Sequence, residues 1–179
     1  MRRHVVVMGV SGTGKTTVGR LVAEALGWQF VEGDELHPPE NVAAMAAGHP
    51  LTDELRAPWL AAIRDVMTSA ALEDRRVVVA CSALKRAYRD VLRSAQGGAW
   101  HAHIVVAPTA LEERLTNRRG HFMPASLLAS QLATLEALAP DEPGVEVHGA
   151  ANPRRTAAAV LEALPWAQST GTSTGRSRQ

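Results

Sequence analysis

The clearest chemistry in this chain lies in Gly9-Val10-Ser11-Gly12-Thr13-Gly14-Lys15-Thr16-Thr17. The spacing is G-x-x-x-x-G-K-T, a loop whose backbone N–H groups can cradle phosphate oxygens. In that pattern Lys15 reaches the outer phosphates and the Thr16 hydroxyl can ligate Mg²⁺. Gly9, Gly12 and Gly14 let the backbone turn tightly against an anion. The motif implies a bound nucleotide and leaves open what is done with it.

A second group of residues bears on that question. Many phosphate-loop proteins place an Asp at the end of another central strand to hold Mg²⁺. Here the strand Val77-Val78-Val79-Ala80-Cys81-Ser82 ends without one. The nearest carboxylates lie in Glu32-Gly33-Asp34-Glu35, just after a short strand. Ligands of open α/β sheets sit outside the carboxyl ends of strands. We therefore favour Asp34 over Glu32 and Glu35, with Gly33 bending the backbone to aim it. Asp34 can accept a hydroxyl proton or hold a Mg²⁺-bound water; the plainer reading is a solvated loop acid. His37 follows, and a lone His is as readily structural as chemical. Arg56, Lys85, Arg86 and Arg89 are cations on segments that begin at or near strand ends. Arg86 and Arg93 read as a solvated helix face. Lys85 and Arg89 are expected to meet an anionic or polyol substrate. Ser82 can cap the helix or bond a substrate, and capping is the plainer reading. Arg114, Arg118 and Arg119 cluster before Gly120-His121-Phe122. Three arginines within six residues exceed what a helix C-terminus needs. A lid that closes there would exclude water and bring arginines to the phosphates.

These residues need elements to position them. Val5-Val6-Val7-Met8 reads as a buried parallel strand, and Val18, Leu21, Val22, Ala25 and Leu26 repeat at helical spacing behind the loop. The loop thus joins a strand to a helix N-terminus, where dipole and N–H groups favour an anion. Strands are expected at His4–Met8, Gln29–Val31, Val77–Cys81, His103–Ala107 and Val145–His148. Helices are expected over Glu40–Ala47, from about Asp53 to Glu73 with a kink or restart at Pro58, and after Ser82. Thr109-Ala110-Leu111-Glu112 has a capping-box pattern, and another helix opens near Pro124 and Ser126. Asn152 and Pro153 cap the last helix, which stops at Pro165. Alternating strands and helices give an α/β fold with a mostly parallel sheet.

With 179 residues the chain has room for one domain with a proper core. We place the domain at 1–166, with a lid over about 114–138 and a disordered Ser, Thr, Gly and Arg tail over 167–179. A formal net charge of +1 gives no electrostatic case for nucleic acid. The single Cys81 excludes an intrachain disulfide and fits a reducing cytoplasm. No apolar run approaches the ~20 residues that a membrane span needs.

Several blocks together resemble the small gluconokinases. They are Gly9–Thr16, Glu32-Gly33-Asp34-Glu35-Leu36-His37-Pro38, Pro50-Leu51-Thr52-Asp53, Arg56-Ala57-Pro58-Trp59-Leu60, Cys81-Ser82-Ala83-Leu84-Lys85, Tyr88-Arg89-Asp90 and Arg118-Arg119-Gly120-His121-Phe122. The resemblance runs from about residue 5 to 165, and the blocks around Asp34 and Cys81 are the discriminating ones. It implies a three-layer phosphate-loop fold with a five-stranded parallel sheet and a helical lid. It implies transfer of the ATP γ-phosphate to the 6-hydroxyl of D-gluconate with Mg²⁺, and a homodimer. By motif position, Asp34 would be the base or metal-water ligand. His37, Arg56, Lys85 and Arg89 would face the substrate, and Arg118, then Arg119, would be the lid arginines. The competing readings are a kinase for another small anion, such as a shikimate-like acid or a nucleoside monophosphate, and a nucleotide-dependent switch.

Overall fold

The computed structural model describes residues 3–111 and 126–166. The apolar run near the amino terminus forms β1 (His4–Met8), every residue of which is buried. It is joined by β2 (Gln29–Glu32), β3 (Val77–Ala80), β4 (Ala99–Val105) and β5 (Gly144–His148). The order across the sheet is β2-β3-β1-β4-β5, and all four pairings are parallel. Val6 lies opposite Val79 on one side and His101 on the other. The connection from β1 runs to one side of the sheet and that from β4 to the other. The crevice left between diverging connections is where open α/β sheets hold ligands.

Side chains on a strand alternate between faces, so β1 feeds two cores. Val6 and Met8 pack with Trp59, Ile63 and Met67 of α3 (Asp53–Leu72) and Tyr88 and Leu92 of α4 (Arg86–Arg93). Val5 and Val7 pack with Val18 and Val22 of α1 (Lys15–Leu26) and, from the last helix (Pro153–Ala163), with Val160. Each such side chain taken out of water contributes roughly 1.5–3 kcal/mol. The result is three layers with a rigid sheet between them, as the resemblance implies. Two more helices have both bounds within the described part, α2 (Pro39–Ala46) and α5 (Ser126–Thr134), so the last helix is α6. Among the described residues, no helix is long and apolar enough to cross a membrane.

The strands and helices fall close to the expected positions, with four instructive departures. β4 starts at Ala99, not His103, because His101 and His103 read as polar yet are buried inside it. Burial, with Arg89 and Arg93 nearby, pushes the His101 pKa down to about 3, so it sits in the sheet as a neutral ring. α3 runs through Pro58 without a restart. The bond lost there belongs to the carbonyl of Glu54, four residues back, which is exposed to water. α4 begins only at Arg86, with Lys85 at its N-cap, so Ser82 caps nothing. Helical backbone is already present at residue 108, ahead of Thr109. Residues 114–125 of the expected lid fall outside the described residues, as do Arg114, Arg118, Arg119 and the tail over 167–179, while 126–138 are described.

Arg89 is the main correction. It was expected at the substrate, but its side chain is wholly buried beneath the sheet's carboxyl edge. Its Nε and Nη2 donate to the two Glu142 oxygens at 2.7 Å each. Nη1 donates to the carbonyls of Leu84 at 3.1 Å and Glu136 at 3.0 Å, and Nη2 also reaches that of Ala137 at 3.3 Å. Arg93 adds a third bond to Glu142 at 2.6 Å. A charge this deeply buried must be paired, and every polar direction here has a partner. The pair ties the loop before α4 to the segment after α5.

Arg89 holds the Glu142 carboxyl at about 2, against the upward push of burial, from an ordinary 4.5. A carboxylate depressed in this way stabilises the fold fully above its unfolded pKa and loses that contribution as pH falls through the folded one. The thermal midpoint should therefore drop as pH falls from about 4.5 towards 2. Glu142→Gln should flatten that slope in a pH series of melting curves; equal slopes would remove Glu142 from the acid response.

Candidate active site

The phosphate loop ends on α1, whose first residue is Lys15. Gly14 caps the helix in the left-handed conformation, at φ 92° and ψ 20°, where a side chain would be strained. No side chain caps this end and no acid lies in its first turn. The N–H groups of the first turn are thus oriented for an anion brought from outside. Lys15 Nζ donates to the Val10 carbonyl at 3.0 Å, folded back over the loop. The Thr13 hydroxyl donates to the same carbonyl at 2.9 Å and is buried, so its side chain shapes the loop.

Asp34 sits on a short 3-10 turn, Gly33–Leu36, directly after β2. Gly33 is required there by contact with β3, not by bending: a Cβ would lie 2.4 Å from the Ala80 carbonyl oxygen. The buried Trp59 indole N–H donates to the Gly33 carbonyl at 2.7 Å and fixes the turn from α3. The Asp34 carboxylate itself is largely exposed. His37 is buried and stacks on Trp59, with ring centroids 4.1 Å apart and planes 13° from parallel. Burial lowers its pKa, so the ring is neutral near pH 7. The Asn41 amide N–H₂ lies 3.4 Å from His37 Nδ1, which must then accept. The proton therefore belongs on Nε2, 4.0 Å from Asp34 Oδ1. Burial also raises the Glu32 carboxyl, while a hydrogen bond from Thr16 pulls the other way.

Opposite this turn, Arg56 projects from the first turns of α3 and donates from Nη1 to the Tyr88 hydroxyl at 3.0 Å. Tyr88 in turn donates to Asp53. Lys85 Nζ bonds both Asp53 oxygens, at 2.9 and 2.7 Å. Lys85 thus holds Asp53 beside Tyr88 and Arg56. One acid shared by two cations leaves the group with one net positive charge.

A single cavity joins these pieces. It is lined by Ser11 and Lys15 of the loop, by Asp34 and His37, and by Arg56. Trp59, Ser82 and Gln131 also line it. Lys85 and Arg89 do not. Sequence reasoning missed Trp59 and Gln131. An indole among core residues gives no sign that it anchors an acidic turn. Gln131 lies 120 residues from Ser11, to whose N–H it bonds. Of the two readings of Ser82, the cap fails and the place in the cavity remains; Ala83 after it has φ 44°, a sharp corner that starts the loop early. Arg118 and Arg119 lie outside the described residues. A phosphate cradle, a carboxylate and a cation around one opening are suited to phosphoryl transfer to the hydroxyl of a small anion.

Comparison with known proteins agrees with this arrangement. The shikimate kinase family profile matches residues 11–134. A gluconokinase from Gluconobacter oxydans (strain 621H) is 53% identical over 151 residues, covering 84% of this chain and 85% of that protein. The crystal structure of a gluconokinase from Sinorhizobium meliloti 1021 superposes with a TM-score of 0.81 at 47% identity, over 96% of this chain and 100% of that one. The shikimate kinase from Aquifex aeolicus shares the fold, with a TM-score of 0.58 at 15% identity, over 94% of this chain and 99% of that one. This chain is therefore a kinase of the shikimate kinase family, and within it belongs to the gluconokinases.

Proposed function

We propose that the protein transfers the γ-phosphate of ATP to the 6-hydroxyl of D-gluconate in the cytoplasm. The observation that carries this reading is the one cavity that Ser11 and Lys15 share with Asp34, His37 and Arg56. The backbone N–H groups from Gly9 to Thr17 and the Lys15 ammonium hold the phosphates. Arg56 meets the gluconate carboxylate, and Asp34 faces the reacting hydroxyl, with neutral His37 beside it. Mg²⁺ would be held by the Thr16 hydroxyl and, through water, by Asp34; when bound it offsets phosphate charge. Arg118 and Arg119 are assigned to the phosphates on their motif position. A coupled assay of ADP release tests the reading. ADP should appear only when gluconate is present, with 6-phosphogluconate as the second product. ATP turnover that ignores added sugar acids would favour a nucleotide switch instead.

Asp34 carries a prediction of its own. Asp34→Asn keeps the shape of the turn, which Trp59 and Gly33 hold independently of the carboxylate. It removes the charge that takes the proton or orients the metal water. Turnover should fall by about two orders of magnitude with nucleotide affinity little changed. Unchanged turnover would shift the role to Glu32 or Glu35, on the same stretch.

A further inference from the structure

The Ser11 backbone N–H is one of the donors that should meet a phosphate, yet it already has an acceptor. The Gln131 side-chain oxygen lies 2.7 Å from it. Because Ser11 contributes an N–H, the facing atom must be the amide oxygen and not the amide nitrogen. Ser11 and Lys15 are the phosphate-loop residues that line the acceptor cavity. Gln131 lines that cavity as well, and its oxygen takes the donor that a phosphate oxygen would need.

We propose that Gln131 is a positioning residue that latches α5 to the phosphate loop, and that the terminal phosphate of the triphosphate releases it. The proposal rests on the reading of the loop as an ATP site. The packing around α5 fits a part that moves about a fixed end. The end after α5 is pinned: the Glu136 N–H donates to the Leu84 carbonyl at 2.8 Å, and Arg89 binds the Glu136 carbonyl. The Glu136 carboxylate also accepts from the Arg86 N–H at the start of α4, at 2.6 Å. Leu128, one turn from Gln131 on the same face, packs on Val10. Next to these contacts lies a cavity of about 250 Å³, bordered by Val10, Leu111, Leu132 and Leu135. The cavity opens to solvent along this helix, whose Leu132 is 39% exposed, so the helix can shift without breaking a packed core. A phosphate oxygen arriving at the Ser11 N–H displaces the Gln131 oxygen and frees α5 to swing about residue 136. Gln131 is then a neutral stand-in that keeps the loop's donor satisfied until a triphosphate arrives.

A latch that competes only with the terminal phosphate must distinguish ATP from ADP. The measurement is the Kd of a non-hydrolysable ATP analogue and of ADP, each with Mg²⁺, by calorimetry on the native protein, Gln131→Ala and Gln131→Glu. Gln131→Ala removes the competitor. It should tighten the analogue by about two- to tenfold and leave ADP unchanged, the range expected for one hydrogen bond. Gln131→Glu places a charged competitor at the same donor and should weaken the analogue by about tenfold or more relative to ADP. Shifts of the same ratio for both nucleotides, no shift in either variant, or weaker analogue binding in Gln131→Ala would overturn the latch. Failure of the native protein to bind either nucleotide would overturn the ATP reading and the latch with it.

Discussion

Lys15→Ala should leave a folded protein that has lost phosphoryl transfer by about three orders of magnitude or more in kcat, roughly 4 kcal/mol of transition-state stabilisation. The two halves of this expectation have separate physical sources. Lys15 is the first residue of α1 and not fully buried, and its ammonium donates to a carbonyl of its own loop, Val10, at 3.0 Å. Replacing it deletes a peripheral hydrogen bond, and Ala is a better helix former than Lys. The fold should melt within a few degrees of the native protein. In the reaction, charge spreads over the oxygens of the transferring group, and a cation placed there counts for most when water is excluded. The contact to Val10 keeps the ammonium folded over the loop, beside the donors that meet a phosphate. Melting curves and steady-state kinetics on the same preparation check both halves. Native-like turnover would remove the phosphate loop from the mechanism. A collapsed melting temperature would instead make Lys15 structural.

The parts of the site that lie close in sequence were legible, and those that depend on packing were not. The strand, loop and helix around Gly9–Thr16 announce themselves because backbone N–H groups do the binding and glycine spacing sets their geometry. Asp34 follows from a rule about strand ends and needs no knowledge of its neighbours. Arg89 and Arg93 do share a flank of α4, as their four-residue spacing requires, while Lys85 stands at the N-cap and bonds Asp53. What faces that flank is Glu142, some fifty residues later, and spacing within one helix carries no record of a distant carboxylate. Glu142 lies between Pro140 and Pro143, with no local pattern that marks it. The same limit hid Gln131. Gly33 shows a milder form: the residue was correctly marked as necessary, but its reason is the Ala80 carbonyl on the neighbouring strand.

That correction changes how substrate choice must be argued. Three cations were expected around the acceptor, and only Arg56 lines the cavity. Arg89 is neutralised by Glu142, and Lys85 holds Asp53. The carboxylate case survives in a sharper form. Because Lys85 takes up Asp53 with two hydrogen bonds, Asp53 is left 4.0 Å from Arg56 and only weakly offsets it. The Arg56 side chain is only 15% exposed, so its charge is costly without an anion from the ligand. A guanidinium can take a carboxylate with two parallel hydrogen bonds, which fixes one end of a chain-like molecule. Its far end then lies towards Asp34 and Lys15, where the phosphate is transferred. D-Gluconate has a carboxylate at one end and a primary hydroxyl at the other. Glucose and sorbitol keep the hydroxyl and lack the charge, leaving Arg56 buried without its partner. We expect kcat/KM for both to be lower than for gluconate by about three orders of magnitude or more. Shikimate has the charge on a rigid ring and should fail for its shape. Arg56→Met should narrow the gap by depressing gluconate far more than sorbitol, since only gluconate loses a charge partner. Lys85→Met, one step removed through Asp53, should depress it less. Comparable rates on sorbitol and gluconate in the native protein would sink the carboxylate argument. An Arg56→Met variant that still prefers gluconate by the full factor would show that some other group reads the charge.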